Sequence, residues 1–222
     1  MTEQNEHLSA LTEIRDLMNR SSRFLSLSGI SGICAGVLAL AGAGVAWFWM
    51  RDLFFKFPLF VDADYLIPGN FFSAPAVDFY TFFVLDAGSV LLLSLLCGWF
   101  FSRRKAKKQN MPFWDQTAWR ALLNLFIPLA AGGLFCLALM LHGVIGLIAP
   151  ATLIFYGLAL LNASKYTLND VRYLGVSQIA LGLAACMFVG YGLFFWALGF
   201  GVLHIVYGAV MWWKYERGAG GE

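Results

Sequence analysis

The chain has 222 residues, of which 60% are hydrophobic and only 13% charged, with a mean hydropathy of +0.71 and a net charge of +2. A water-soluble domain usually carries about 25% charged residues, so this chain has too little polar surface to enclose a soluble core. The composition therefore predicts one compact membrane domain, and it excludes the basic, aromatic-interleaved surface of a nucleic-acid-binding protein.

Residues 1–22 are polar but carry apolar side chains at helical spacing. These are Leu8, Leu11, Ile14, Leu17 and Met18. The pattern predicts an amphipathic cytoplasmic helix that lies on the membrane surface or against the bundle. Such a helix is also a candidate binding surface for a cytoplasmic protein partner.

Six apolar runs follow, each close to the ~20 residues that a helix needs to cross a hydrocarbon core of ~30 Å. They cover about residues 24–50, 76–101, 121–141, 144–161, 173–195 and 197–213. The first run is too long for a signal peptide and reads as an uncleaved anchor. Because unpaired backbone groups are costly in lipid, residues 23–213 are predicted to form an all-α, polytopic bundle of six transmembrane helices, followed by the tail 214–222.

The short connections predict how the helices pair. Only His142-Gly143 separates runs three and four, and runs five and six part near 196–201, so both pairs are expected to form antiparallel hairpins. Thr167-Leu168-Asn169-Asp170 resembles a capping box that opens the fifth helix. Pro112 fits the first turn of the third helix, where its missing N–H costs nothing.

The orientation follows from the positions of the basic residues. If the chain crosses six times, residues 1–23, 102–120, 162–172 and 214–222 share one side, which then holds all of the 15 Lys and Arg residues except Arg51 and Lys56. The positive-inside rule makes that side cytoplasmic, so both termini are predicted to be cytoplasmic.

Short internal matches suggest that the bundle arose by repetition. Arg23-Phe24-Leu25 and Arg172-Tyr173-Leu174 each open a crossing, and each is followed by a serine, Ser28 or Ser177. A second match pairs Ile154-Phe155-Tyr156-Gly157 with Ile205-Val206-Tyr207-Gly208. Three tandem hairpins are one origin consistent with these matches.

Two ionisable residues inside the predicted crossings are candidates for an intramembrane polar site. Asp86 lies about 25 Å from Arg103 along its helix, and His204 lies about 15 Å from Lys214. Asp86 reads either as a proton or cation site or as a solvated carboxylate near the outer interface. His204 reads either as a proton relay or as a hydrogen bond to a neighbouring helix.

Two amides and a row of small residues complete the candidates. Asn124 and Gln178 lie closer to the cytoplasmic face and are expected to hydrogen-bond between helices. Ser28, Gly32 and Gly36 recur at every fourth position, which favours close packing within the bundle over dimerisation, although a homo-oligomer stays open.

The aromatic-rich outer loop 51–75 has two interpretations. It contains six phenylalanines and three prolines. It is expected to lie in the aromatic belt at the membrane interface, and the alternative is a lid over an outward cavity that includes Asp86. The basic run at 103–108 is mainly a topology signal that is also suited to anionic lipid headgroups.

The stretch Ile14-Arg15-Asp16-Leu17-Met18-Asn19-Arg20-Ser21-Ser22-Arg23-Phe24-Leu25-Ser26-Leu27-Ser28-Gly29-Ile30-Ser31-Gly32 resembles the start of a group of uncharacterised six-helix membrane proteins from Bacteroidota-type bacteria. The resemblance covers mainly residues 14–45. It implies a location in the bacterial inner membrane, and it carries over no functional residues, cofactor or activity.

No sequence motif identifies an enzyme. The chain lacks the H-E-x-x-H, G-x-S-x-G and P-loop patterns, and its four cysteines lie in separate apolar runs, which argues against a metal site or a disulfide framework. We therefore expect no catalytic residues, no metal and no cofactor. The leading hypothesis is a non-enzymatic sensor, regulatory or accessory protein, and the alternative is a small solute or ion transporter or channel that uses Asp86 and His204.

Overall fold

The computed structural model describes residues 28–56, 74–108 and 114–217, and all of the regular structure in them is helical. In chain order the helices are α1 (Gly29–Lys56), α2 (Ala74–Lys108), α3 (Gln116–Leu141), α4 (Ile148–Ala163), α5 (Asn169–Met187), α6 (Gly192–Trp196) and α7 (His204–Tyr215). Short 3₁₀ turns at Ile145–Leu147 and Ser164–Tyr166 flank α4. A π-helical segment, Ala197–Leu203, joins α6 to α7, and these three parts form one continuous C-terminal helix.

Several of these helices are long and apolar enough to span a membrane. Within the described residues five candidate spans meet both criteria, namely Gly29–Arg51, Phe79–Lys108, Gln116–Leu141, Ile145–Tyr166 and Gly192–Tyr215. The 19-residue helix α5 is more polar, because Asn169, Asp170 and Arg172 occupy its first turn. Large apolar side chains such as Leu85, Phe126 and Leu134 are exposed on the outside of the bundle, as expected for helices whose solvent is lipid.

The helix ends follow local signals in the sequence. Asp115 caps α3, since its carboxylate accepts a hydrogen bond of 2.6 Å from Ala118 N. Glycines with positive φ lie in two of the turns, Gly143 (71°) after α3 and Gly190 (98°) after α5, where a side chain would be strained. These turns return the chain at once into the next helix.

The fifth crossing begins and ends earlier than the hydropathy predicts, and the sixth begins earlier but ends later, at Tyr215. The expected break near 196–201 is π-helical and continuous, and the chain instead turns at residues 188–191. The predicted capping box is also not formed. The Thr167 hydroxyl donates back to Ala163 O at 3.3 Å, while the Asp170 carboxylate faces α7 and accepts hydrogen bonds from Lys214 and Tyr215. Pro112, the N-terminal helix 1–22 and most of the outer loop lie outside the described residues.

The helices pack in two groups, around α1 and around α4. α1 packs against α2 on one side and against the C-terminal helix on the other, while α4 packs between α3 and α5. Tyr156 of α4 forms a hydrogen bond with His204 of the C-terminal helix, and so connects the helices around α4 with those around α1. α2 and α3 hardly contact each other, except where Tyr80 Oη donates to Met140 O at 3.3 Å.

One end of the bundle collects charged contacts, and we call it the basic end. Lys105 at the end of α2 lies 3.3 Å from Glu216, which follows α7, and the Glu216 carboxylate accepts from Gly29 N at 2.7 Å. Asp170 at the start of α5 pairs with Lys214 at 3.2 Å. The start of α1 and of α5 therefore lies beside the end of α2 and of α7, as in an antiparallel bundle.

Two helix pairs, α1 with the C-terminal helix and α5 with α4, pack through the same glycine contacts. A Cβ placed on Gly36 of α1 would lie 2.7 Å from Ile205 Cγ1 and 2.9 Å from Ile205 N. A Cβ placed on Gly182 of α5 would lie 2.7 Å from Ile154 Cγ1 and 3.0 Å from Ile154 N. Only glycine allows the helix backbones to approach this closely.

A second contact repeats in register with the first. A Cβ on Gly208 of α7 would lie 2.7 Å from Gly29 O, and a Cβ on Gly157 of α4 would lie 2.6 Å from Gly175 O. Gly29 and Gly36 of α1 are as far apart in the sequence as Gly175 and Gly182 of α5. Ile205 and Gly208 of α7 are likewise as far apart as Ile154 and Gly157 of α4. The segments 154–157 and 205–208, matched in the sequence, therefore occupy equivalent positions.

The match of Arg23-Phe24-Leu25 with Arg172-Tyr173-Leu174 differs by about one helical turn from the alignment that the packing gives. The packing aligns Gly29 with Gly175, so that Ser31, rather than Ser28, corresponds to Ser177. The helix pairs that share these contacts also differ from the predicted hairpins, because they join the last helix to the first and α4 to α5.

Candidate functional site

Buried polar side chains meet where the C-terminal helix crosses α4 and α5. Gln178 of α5 has no exposed surface, and its Nε2 donates to Gly199 O at 2.9 Å. His204, which is also buried, lies with Nδ1 3.1 Å from the same carbonyl oxygen. Tyr156 of α4 lies with Oη 2.8 Å from His204 Nε2. We call these four residues the polar network.

The hydrogen-bond partners fix the roles of the His204 ring nitrogens. A carbonyl oxygen only accepts, so Nδ1–H donates to Gly199 O. In the neutral ring Nε2 is then an acceptor, and Tyr156 Oη–H donates to it. Both ring nitrogens are satisfied. The Gly199 carbonyl group joins α5 to the C-terminal helix, and the His204 ring joins that helix to α4.

The π-helical segment and its glycine make this arrangement possible. Gly199 lies within the segment, where the widened turn presents its carbonyl oxygen to two side chains. A Cβ at this position would lie 2.6 Å from Gln178 Oε1 and 2.4 Å from Leu153 Cδ2. Any larger residue would push Gln178 away from the carbonyl group.

Aromatic rings enclose the network on the side of α4. Tyr156 and His204 are stacked with centroids 5.4 Å apart, and Phe200 lies 5.0 Å from the Tyr156 ring. Trp196 extends the cluster at 5.1 Å from Phe200. The rings exclude water from the hydrogen bonds, which strengthens them.

One atom of the network is unsatisfied. Gln178 Oε1 is buried and has no hydrogen-bond partner among the described residues. Buried acceptors usually have a donor, so Gln178 Oε1 is an energetically unfavourable exception in an otherwise complete network.

Asp86, the other predicted ionisable residue, lies at a different interface. Its carboxylate is half-buried on α2 and faces α1, where a Cβ on Gly42 would lie 3.5 Å from Oδ2. No hydrogen bond to this carboxylate is formed within the described part of the chain. The hydrogen bonds of His204 run to α4 and within its own helix, so the structure does not bring the two candidates into one site.

Asn124 links helices through its backbone rather than through its side chain. Its Nδ2 donates to Arg120 O at 2.8 Å within α3, and its carbonyl oxygen accepts from Asn162 Nδ2 of α4 at 3.0 Å. The side chain that crosses between the helices is therefore that of Asn162, which no sequence pattern singled out.

The small residues at the start of α1 pack within the bundle. A Cβ on Gly32 would lie 3.1 Å from Gly208 Cα, and one on Gly36 would lie 2.6 Å from Gly201 O. Ser28 Oγ donates to Glu216 Oε2 at 3.3 Å. This face of α1 is thus covered by the C-terminal helix.

Sequence reasoning missed Tyr156 and Glu216 as key partners. The repeated segment Ile154–Gly157 did contain Tyr156, and its equivalent Tyr207 lies 3.3 Å from Ser177 through its hydroxyl group. A tyrosine within a repeated motif was therefore a usable signal. Glu216 had none, because its contacts come from residues almost 190 positions away in the chain.

In the described ranges 28–56, 74–108 and 114–217, no three His, Cys, Asp or Glu side chains converge in a way that would hold a metal ion. Comparisons with family models, with curated proteins and with solved structures find no match to this chain. The chemistry of its own residues therefore carries the functional argument.

Proposed function

We propose that this chain is an integral protein of the bacterial inner membrane that crosses the bilayer six times, with both termini in the cytoplasm. Five helices have the length and hydropathy of membrane spans. α5 has 19 residues and is therefore about 28 Å long, and it packs closely against α4 through Gly175 and Gly182. On these grounds it is the sixth crossing. The basic residues gathered at one end supply the orientation.

Within that membrane frame, the protein acts as a non-enzymatic sensor, regulatory or accessory subunit. The observation that carries this proposal is the polar network, in which both His204 nitrogens are engaged in joining helices. A ring held in this way has a structural role. Asp86 lies at a different helix interface, which favours separate structural roles over a shared path.

A cytoplasmic partner is expected to bind the amphipathic segment 1–22. The test is affinity purification of the full chain and of a chain lacking residues 2–22, both from native membranes in a mild detergent. A control replaces Leu11 and Ile14 with Asn, which removes the apolar face but keeps the length. A partner that copurifies only with the full chain supports the proposal, and a partnerless full chain contradicts it.

Two observations favour a second candidate, a small ion or solute transporter. The Asp86 carboxylate forms no hydrogen bond within the described residues, and Gln178 Oε1 is buried without a donor. Such groups are available to a permeating cation. The test is ion flux into vesicles that contain the purified chain, with Asp86→Asn and His204→Ala as variants and Asp115→Asn as the control. Unchanged flux in both variants rejects this candidate.

A further inference from the structure

The basic end of the bundle has more cations than its acids can pair. Five exposed side chains flank the connection between α2 and α3, and we call them the basic cluster: Arg103, Arg104, Lys107, Lys108 and Arg120. Among the described residues none of the five lies within ion-pair distance of a carboxylate. Arg103 instead lies over the Trp99 ring at 5.2 Å.

The acids at this end already have other partners. Glu216 pairs with Lys105 and caps α1, Asp170 binds Lys214 and Tyr215, and Asp115 caps α3. In the described part of the chain, none of these carboxylates therefore forms an ion pair with the basic cluster. A concentration of exposed, unpaired cations next to a membrane is suited to anionic headgroups.

The cluster borders a gap between α2 and α3, which we call the seam. Tyr80 and Met140 close the seam at the end opposite the basic cluster, and the two helices otherwise hardly contact each other. The chain passes from Lys108 to Trp114 in six residues, so these two residues lie within about 20 Å of each other. The basic cluster thus lies at the end of the seam away from the Tyr80–Met140 contact.

This gap departs from the close glycine contacts that repeat elsewhere in the described bundle. In a chain of three tandem hairpins, α4 with α5 and the C-terminal helix with α1 are successive contacts of one kind, and α2 with α3 would be the third. The first two are closed by glycines such as Gly157 and Gly208. Gly88 and Gly98 of α2 and Gly133 of α3 instead face open space, with nothing within 4 Å of the position that a Cβ would take.

The α3 side of the seam has the residues of a membrane interface. Trp114 and Trp119 form an edge-to-face pair with centroids 6.2 Å apart, and with Arg120, Gln116 and the α3 cap Asp115 they line a shallow cleft of about 520 Å³. Tryptophan beside arginine at a helix end is typical of the headgroup level of a bilayer. Exposed apolar side chains continue along α2 and α3 below this level.

We propose that the seam binds an anionic phospholipid. The basic cluster and the tryptophan-lined cleft hold its phosphate headgroup, and its acyl chains lie along the apolar faces of α2 and α3. This inference rests on the membrane insertion proposed above, and it adds a ligand class and a site.

The test is native mass spectrometry of the purified full chain titrated with phosphatidylglycerol or with phosphatidylcholine. The variant Arg104→Gln/Arg120→Gln removes one cation from each side of the seam and leaves most of the topology signal in place. The control Lys165→Gln/Arg172→Gln removes two exposed cations at the same end of the bundle but on other helices. One lost cation lowers affinity about fivefold, so the first variant is expected to bind phosphatidylglycerol about 25-fold more weakly and the control less than twofold more weakly.

A second measurement does not depend on the charge variants. Brominated phosphatidylglycerol is expected to quench the fluorescence of the unaltered chain, and Trp114→Phe/Trp119→Phe is expected to lose that component of the quenching. Inorganic phosphate is not expected to displace the lipid. If phosphate does displace the lipid, the site is a simple anion site instead.

Three results would overturn the lipid site. These are equal affinity for the two lipids, equal losses in the variant and the control, and unchanged quenching after the tryptophan replacements. Extraction of membranes with alkaline carbonate separates the two proposals, because release of the protein rejects membrane insertion itself, whereas retention with equal lipid affinities rejects only the site.

Discussion

Tyr156 and His204 form the hydrogen bond on which the polar network depends. Their stacked rings and the 2.8 Å contact join α4 to the C-terminal helix, and Gly199 O holds the other side of the imidazole. Hydrogen bonds of this kind between membrane helices contribute roughly 0.5–2 kcal/mol, because the alternative is an unsatisfied polar group in an apolar surrounding.

Tyr156→Phe is expected to lower the free energy of unfolding by about 0.5–2 kcal/mol, since it leaves the buried His204 Nε2 without its donor. Titration with SDS, followed by circular dichroism, measures this change. Tyr191→Phe is the matched control, because Tyr191 is 65% exposed and is expected to contribute nothing. Equal stability of the two variants would contradict the assignment of Tyr156 as a donor.

At the scale of the helices, the bundle packs through close glycine contacts, whereas a soluble protein core packs through large apolar side chains that interdigitate. The same contacts hold α1 to the C-terminal helix and α5 to α4. Since lipid chains are as apolar as the helices, burial of apolar surface gives little drive for association, and close backbone packing takes its place.

Gly208→Ala and Gly157→Ala are expected to lower the free energy of unfolding by similar amounts, about 1–3 kcal/mol each, because the added methyl group would overlap backbone atoms of the partner helix. The same SDS titration tests this prediction. Gly44→Ala and Gly98→Ala are controls at which a Cβ meets nothing within 4 Å. A loss at the control positions as large as that at Gly208 would show that the effect does not come from helix packing.

Glu216 connects three helix ends at the basic end. Its carboxylate accepts from Gly29 N and Ser28 Oγ and pairs with Lys105. An anion at a helix N-terminus is stabilising because it satisfies backbone N–H groups and complements the helix dipole.

Glu216→Ala is expected to lower the free energy of unfolding by about 1–3 kcal/mol, since it removes both the cap and the ion pair. Glu216→Gln keeps an acceptor for Gly29 N and is expected to lose less. Arg217→Gln is the control, because that side chain is exposed and contacts only Trp213 in the described structure. Thermal unfolding in detergent ranks the three variants, and an order other than Ala, Gln, control would rule out the capping role.

For the whole molecule, the decisive property is the distribution of charge between its two ends. The salt bridges of Lys105 and Lys214 lie at the same end as the exposed basic cluster, while the Tyr80–Met140 contact lies at the other. The positive-inside rule assigns the basic end to the cytoplasm.

Labelling of single cysteines tests this orientation. In a chain whose four cysteines are replaced by Ser, Asn70→Cys is expected to react with a membrane-impermeant maleimide in intact spheroplasts. Lys107→Cys is expected to react only after permeabilisation, because it lies in the last turn of α2, at the end proposed to be cytoplasmic. Labelling of Lys107→Cys in intact spheroplasts would reverse the proposed topology.

The amino-acid sequence alone predicts the helical class, the approximate positions of the apolar helices and the gathering of basic residues between them. These properties depend on local composition, since every backbone group in lipid must be paired within its own helix. The small residues Gly32 and Gly36 likewise identified a packing face, and the match of 154–157 with 205–208 identified equivalent positions.

Only the tertiary structure decided which polar groups meet. Gln178, Gly199, His204 and Tyr156 come from three different helices, and a hydrophobicity pattern does not determine how those helices are rotated and paired. Asp86 and His204 were both candidates in the sequence, but they lie at different interfaces because α1 packs with α2 through one face and with the C-terminal helix through another. Contacts between helices distant in the chain are set by side-chain packing and crossing geometry, which local sequence does not encode.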